Sequence, residues 1–306
     1  MTGANNRCMV PLLFVAVLLQ AAPAPALPPG HPPLVAAAYV PQRVFDTRQK
    51  AFGDFESMLA DLTRADAVFV GEQHDDPNTH RLELAIVEGL VRRGVAVVIA
   101  MEMFERDVQG TLDQYAAGTI TEEQFLKDAR PWPRYATDYR PLIEFARAHH
   151  LPVLASNVPK RIAAELSKSG LSALQGLGAD RRLAARQPEC PTTGTYFDRF
   201  AAAMGEHAGA TSNFYFAQCV KDETMGESVG DAFQNTIAKR VTIVHVNGAF
   251  HSDFGSGTAA SARRRLPGRR VAVVSVLPVP QLDALEPEGD DLSRADYLVF
   301  TIAIKR

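Results

Sequence analysis

Residues 67–80 read Ala67-Val68-Phe69-Val70-Gly71-Glu72-Gln73-His74-Asp75-Asp76-Pro77-Asn78-Thr79-His80. A short apolar run of β type ends at Gly71 and gives way to carboxylates and imidazoles. Asp76 suits a helix N-cap, and Pro77 suits the first helical position, where its missing N–H costs nothing. Leu82, Ile86 and Leu90 then fall four apart on one helical face, and Gly94 is placed as the stop. A second apolar run, Val95 to Met101, follows at once. Residues 67–101 therefore form one β-α-β unit.

Working outward, apolar runs recur at 152–156, 241–246 and 271–276 with little polar alternation, as parallel strands buried on both faces require. His245 interrupts one of them and reads as a hydrogen-bonded core histidine. A helix over Pro141 to His150 feeds into the 152–156 strand, and Leu298 to Ile304 is expected to be an edge strand. Residues 104–139 and 159–235 carry helical patterning with short loops, and Thr121 with Gln124 resembles a capping box. The predicted fold is α/β: a mostly parallel central sheet flanked by helices, with a helical subdomain inserted over the carboxyl edge of the strands. One such domain is expected over residues 42–306.

The Gly71-x-x-His74 pattern returns as Gly248-Ala249-Phe250-His251, again just after a strand-like run. In open α/β sheets, ligands bind in the crevice outside the carboxyl ends of the strands. At that rim the sequence places Glu72 and His74, Glu102, Ser156 with Asn157, and Asn247 with His251, with His80 in the next helical turn. Glu72, His74, Glu102 and His251 are the core candidates, either as ligands for zinc or manganese or as a metal-free acid–base set. Each has a structural alternative: a strand-end histidine is often only hydrogen-bonded, Glu102 could cap a helix, and Asn157 could be an N-cap before Pro159. Asp76 reads as a cap, while Asp75 is left between capping and orienting a histidine.

Further along, Lys221-Asp222-Glu223-Thr224-Met225 reads as a solvated helical face, with Asp222 kept as a secondary candidate. Phe214-Tyr215-Phe216 reads first as core packing, and alternatively as a wall for a flat apolar cofactor with Tyr215 as an axial ligand. No phosphate-cradling glycine loop of Walker or dinucleotide type follows a strand, and residues 252–257 read as a flexible turn.

The chain has 306 residues, 46% hydrophobic, with a net charge of −3. That balance argues against a nucleic-acid partner. Arg263-Arg264-Arg265 and Arg269-Arg270 flank Pro267-Gly268 and read as a solvated turn. Arg7, an apolar stretch from Val10 to Ala22 and Ala24-Pro25-Ala26 make residues 1–26 a cleavable export signal, too short in its apolar part to span a membrane. Residues 27–41 hold five prolines and a glycine and form a Pro-rich arm. Export leaves Cys190 and Cys219, an even number in an oxidising compartment, and spacing alone leaves their pairing open.

Five segments occur in order: Val-Gly-Glu-Gln-His-Asp-Asp-Pro-Asn-Thr-His (70–80), Met-Glu-Met-Phe (101–104), Ala-Ser-Asn-Val-Pro (155–159), Ala-Gln-Cys-Val-Lys-Asp-Glu-Thr-Met (217–225) and Asn-Gly-Ala-Phe-His-Ser-Asp-Phe-Gly (247–255). Together, over roughly residues 42–280, they resemble the ChaN family of exported, iron-linked haem-binding proteins. That family is related to Tiki proteases, TraB-like proteins and erythromycin-esterase-like enzymes. The resemblance implies haem binding or uptake at the bacterial envelope, with haem held between paired subunits by tyrosine ligation and a link to envelope uptake components. No tyrosine motif matches here, which leaves Tyr215 as a guess. In the hydrolytic relatives, positions matching Glu72, His74, Glu102 and His251 form a metal or general-base site. Family lipoproteins carry an attachment cysteine after the signal. This chain has none at that place, so the expectation is a free periplasmic protein.

Overall fold

The computed structural model describes residues 39–205, 211–236 and 240–304. The expected export signal (1–26) and most of the Pro-rich arm (27–41) lie outside the described residues. Among the described residues eight strands are formed: β1 (Gln42–Asp46), β2 (Ala51–Gly53), β3 (Ala67–Glu72), β4 (Val97–Glu105), β5 (Val153–Asn157), β6 (Thr242–Gly248), β7 (Val271–Val279) and β8 (Tyr297–Ile302). They lie in one sheet in the order β2-β1-β8-β7-β3-β6-β4-β5. From β8 to β5 every pairing is parallel, and β1 runs antiparallel to both β8 and β2.

The 67–101 unit forms as its sequence dictates. Between β3 and β4 runs α2 (Pro77–Arg92), preceded in the chain by α1 (Phe55–Leu62). Asp76 caps α2 by accepting from the backbone N–H of Asn78 and Thr79, each at 3.3 Å. Alternate residues of β3 face opposite ways. Val68 and Val70 pack with Leu82, Ile86 and Leu90 on one face, while Ala67 and Phe69 pack on the other with α8 (Thr211–Asn235) and α9 (Gly257–Arg265). The crossover from β3 thus leads to β4 over one face, and the crossover from β6 leads to β7 over the other. The carboxyl ends of β3 and β6 flank the point where the two connections part, which is where such sheets open a crevice.

The helical excursions contain α3 (Gln109–Ala116), α4 (Glu122–Ala129), a π-helical turn over Tyr135–Tyr139 and α5 (Arg140–Ala148), then α6 (Lys160–Ser169), α7 (Thr195–Met204) and α8. Thr121 caps α4 through the Gln124 N–H at 3.2 Å. The Gln124 side chain reaches forward to Asp128, so the capping box is only half formed. Among the described residues no helix is long and apolar enough to cross a membrane.

Three expectations need correction. β8 is not an edge strand: the short β1–β2 hairpin covers its far side. Residues 263–265 are not turn residues but the last turn of α9, where Arg264 and Arg265 pair with Glu223. Ser252 and Asp253 are buried in short 3-10 turns and do not form an open turn.

Cys190 and Cys219 form a disulfide that closes a separation of 29 residues and ties the segment before α7 to α8. Loop-closure entropy makes such a bridge worth about 2–4 kcal/mol. The Cys190→Ser/Cys219→Ser double variant should lose that much unfolding free energy in a urea titration; an unchanged midpoint would show that the bridge restrains nothing.

Candidate functional site

The parallel register builds the site. β6 lies between β3 and β4, with Gly71 opposite Asn247 and Glu72 opposite Gly248 on one side, and Met101 opposite Val246 on the other. Glu72, Gly248 and Glu102 are thereby neighbours on three adjacent strand ends. The Gly248 N–H donates to Glu102 Oε2 at 2.8 Å. Gly248 has no side chain for a reason. A Cβ there would sit 2.8 Å from His74 Nε2, so the imidazole lies directly against the β6 backbone.

The four core candidates come together as two imidazole–carboxylate pairs. His74 Nδ1 bonds Glu72 Oε1, which also accepts from the Tyr139 hydroxyl at 3.0 Å. His251 Nε2 lies 3.2 Å from Glu102 Oε1, and its Nδ1 lies 2.6 Å from Asp222 Oδ1. Asp222 is fixed by Thr258, which donates at 2.7 Å, and by the Tyr196 hydroxyl. Gly257, at φ +52°, passes so close that a Cβ would meet Asp222 Oδ1 at 2.9 Å.

The two histidines differ in setting. His251 is buried, whereas the His74 side chain is 46% exposed, with its ring 5.2 Å from that of Trp132. Burial opposes charge on His251, but Glu102 and Asp222 outweigh it and raise the imidazole to about 10. Burial likewise opposes charge on Glu102, and the His251 cation prevails, holding it near 2. The hydrogen bond to Glu72 raises His74. Burial disfavours the Glu72 charge, yet hydrogen bonds from His74 and His80 hold that carboxyl far below its usual range.

Glu72, His74 and His251 border a cleft of about 570 Å³ whose other walls include Tyr196, Arg199, Phe254 and Arg294. Phe254 stands in left-handed backbone (φ 61°), strained for a non-glycine residue. The Arg199 and Arg294 guanidinium groups lie over its ring. A larger groove of about 1330 Å³ adjoins, lined by Trp132, Lys160, Arg161, Phe200, Phe214 and Lys221 among others. Trp132 and Gln218 border it while also approaching His74 and His251, so groove and cleft share a wall.

Over residues 58–261 the sequence matches the family described as haem-binding uptake, Tiki superfamily, ChaN. The chain belongs to this family. Among solved structures it is similar to ChaN of Campylobacter jejuni, described for cofacial haem binding, with a TM-score of 0.61, 16% identity, and coverage of 86% of this chain and 97% of that one. It also resembles the type III effector HopBA1 (TM-score 0.47, 12% identity, 88% and 99% covered) and a variant of the erythromycin esterase EreC (TM-score 0.44, 16% identity, 87% and 84% covered). No curated protein matches at the sequence level. At these identities the likeness to C. jejuni ChaN shows the α/β fold.

The remaining candidates of this ChaN-family chain divide. Asp222 is 2% exposed, and Glu223, Thr224 and Met225 are buried with it, which overturns the solvated-face reading of 221–225. Asn157 caps no helix; it donates to the Glu102 carbonyl at 3.0 Å and accepts from the Val158 N–H, fixing the end of β4. Asn247 Oδ1 meets His245 Nδ1 at 2.9 Å, and Asn247 Nδ2 donates to Ser252 Oγ at 3.0 Å. His245 is the expected core histidine, pushed down to about 4 by burial and so neutral. Asp75 is exposed, and the carboxylate that orients His74 is Glu72. His80 is buried below the cleft, between Glu72 and Glu83.

Tyr215 is not placed to ligate a cofactor. It is 1% exposed, its hydroxyl donates to the Pro191 carbonyl at 2.5 Å, and its ring packs among Tyr196, Phe197, Phe200 and Phe216. Nor do Glu72, His74, Glu102 and His251 converge as one four-donor shell. Among the described residues, the donors close enough to share an ion are Glu72, His80 and Glu83. Tyr139, Tyr196, Trp132 and Glu83 were not legible as site residues, although Glu83 beside the apolar stripe of α2 was a signal.

Two expectations follow. In Gly248→Ala the new methyl must displace the His74 ring, so an NMR titration should show the His74 pKa falling toward its ordinary value, with about 1–3 kcal/mol of stability lost to overpacking. An unmoved His74 titration would refute the contact. The second concerns pH. His251 titrates near 10 when folded against an ordinary 6.5, so its stabilisation is full below pH 6.5 and drains away as pH climbs through 10. Glu102 titrates near 2 against 4.5, so its stabilisation is present above pH 4.5 and is lost as pH falls through 2. Melting midpoints should therefore fall on both sides of the pH 4.5–6.5 window, and His251→Gln should flatten the alkaline limb.

Proposed function

We propose that this chain binds haem in the groove beside the strand-end cleft, as an exported component of haem and iron uptake at the bacterial envelope. The observation that carries this reading is the groove itself. Trp132, Phe200 and Phe214 give it an aromatic lining suited to a flat macrocycle, and Phe214 is 43% exposed there. Lys160, Arg161 and Lys221 supply positive charge for carboxylates. Arg161 is already paired with Asp107 and Asp180, so Lys160 and Lys221 take that task. Membership of the ChaN family supports haem as the ligand, and the sequence of residues 1–26 supports export to the periplasm. Pairing of two chains around haem follows the family resemblance.

A second reading rests on one specific observation: His251 is clamped between Glu102 and Asp222, as in acid–base sites. Held protonated, His251 serves as an acid or as a charge for a developing anion. The more exposed His74, oriented by Glu72, is the group placed to accept a proton from water. A peptide or ester bond in the cleft would be the substrate of such a hydrolase.

Haemin titration separates the readings. The protein should give a saturable Soret shift, and the Lys160→Glu/Lys221→Glu double variant should bind about tenfold more weakly. His74→Ala should leave that affinity unchanged. A spectrum indistinguishable from free haemin would overturn haem binding, while ester or peptide turnover lost in both His74→Ala and His251→Ala would put hydrolysis in its place.

A further inference from the structure

Below the cleft lies a cluster of which the readings above use only Glu72. Glu72, His80 and Glu83 are all buried, and one donor atom from each lies within 4.8 Å of the others. His80 Nδ1 is 3.4 Å from Glu72 Oε2 and 3.2 Å from Glu83 Oε2. Two ligands each about 2.1 Å from a tetrahedral ion stand about 3.4 Å apart, so these separations match the edges of a coordination shell. Two carboxylate oxygens, Glu72 Oε2 and Glu83 Oε1, are buried without a hydrogen-bond partner. Unpartnered buried oxygens are costly, and their usual resolution is a proton or a cation.

The surroundings hold the donors in the required sense. Glu72 Oε1 is occupied by His74 and by the Tyr139 hydroxyl, which leaves Oε2 to the cluster. His80 Nε2 faces the His74 carbonyl at 3.3 Å and Asp138 Oδ2 at 3.6 Å. Metal-binding histidines characteristically give their second ring N–H to a carbonyl or carboxylate in this way, which leaves Nδ1 as the ligand. Asp138 is itself held by Arg134 Nε at 3.0 Å. The Tyr139 ring packs edge-on against His80 at 4.8 Å and closes the side.

We propose that Glu72, His80 and Glu83 bind one divalent first-row metal ion of the zinc or manganese class, cross-linking the end of β3 to the first turns of α2. The mixed imidazole and carboxylate set favours such ions over calcium or magnesium, which take oxygen ligands and keep water. The site is distinct from the Glu102–His251 pair. Its rival is a proton shared between Glu72 and Glu83 with a second on His80, which together would offset both carboxylate charges without an ion.

The experiment strips the purified full chain with chelator, reloads it separately with zinc chloride and manganese chloride, and reads retained metal by mass spectrometry alongside melting midpoints. Wild type should keep about one equivalent of one of the ions and melt at higher temperature with it. Glu83→Gln, equal in size, should retain less than about a tenth of an equivalent and lose the shift. His251→Gln should retain the ion. Should Glu83→Gln not fold, Asp138→Asn serves instead, with affinity reduced by about 10–100-fold. Failure of the wild type to retain either ion overturns the proposal in favour of the shared proton. Full retention by a folded Glu83→Gln overturns it too, as does loss in His251→Gln alone, which would assign the ion to the strand-end pairs.

Discussion

A single hydrogen bond, from the Gly248 backbone amide to the Glu102 side-chain carboxylate, closes the rim on which the whole site stands. It exists because β6 is threaded between β3 and β4 in parallel register, which leaves the three strand ends level. With the ends level, His74 can set its Nε2–Cε1 edge against Gly248, Glu72 can reach back to His74, and Glu102 can meet the imidazole that β6 delivers three residues later. A slip of one residue in a strand sends every side chain to the opposite face. The apolar contacts of Val68 and Val70 on one side and Ala67 and Phe69 on the other therefore hold the chemistry in place as firmly as they hold the core.

Much of this architecture was legible because its signals are local. Asp76 and Pro77 mark a helix start by their own chemistry, and the β-branched runs of β3, β6 and β7 can only be strands buried on both faces. The β1–β2 hairpin was not legible. Five residues and three residues are too short to show periodicity, and β8, the other partner of β1, lies some 250 residues further on. The place of β8 in the sheet failed for the same reason.

The site was legible as far as strand ends were concerned and no further. Glu72, His74, Glu102 and His251 each follow an apolar run, so topology alone brings them together. Asp222 read as solvated because Lys221, Asp222 and Glu223 are consecutive charges on a helix. Asp222 and Glu223 are buried because Thr258, Tyr196, Arg264 and Arg265 arrive from elsewhere in the chain to pair with them. Tyr215 invited a ligand role by its residue type, and only the packing around it shows a hydroxyl committed to a carbonyl.

Helix α8 borders the groove and reaches the cleft only through its hold on His251. Phe214, Ala217, Gln218 and Lys221 look into the groove, while Asp222, one residue beyond Lys221, grips His251 behind the cleft. The Cys190–Cys219 bridge pins the same turn to the segment before α7. The helix thus presents groove-lining side chains on one flank and a carboxylate that holds His251 on the other. Whatever lodges in the groove leans on the same rigid body that sets the position of His251.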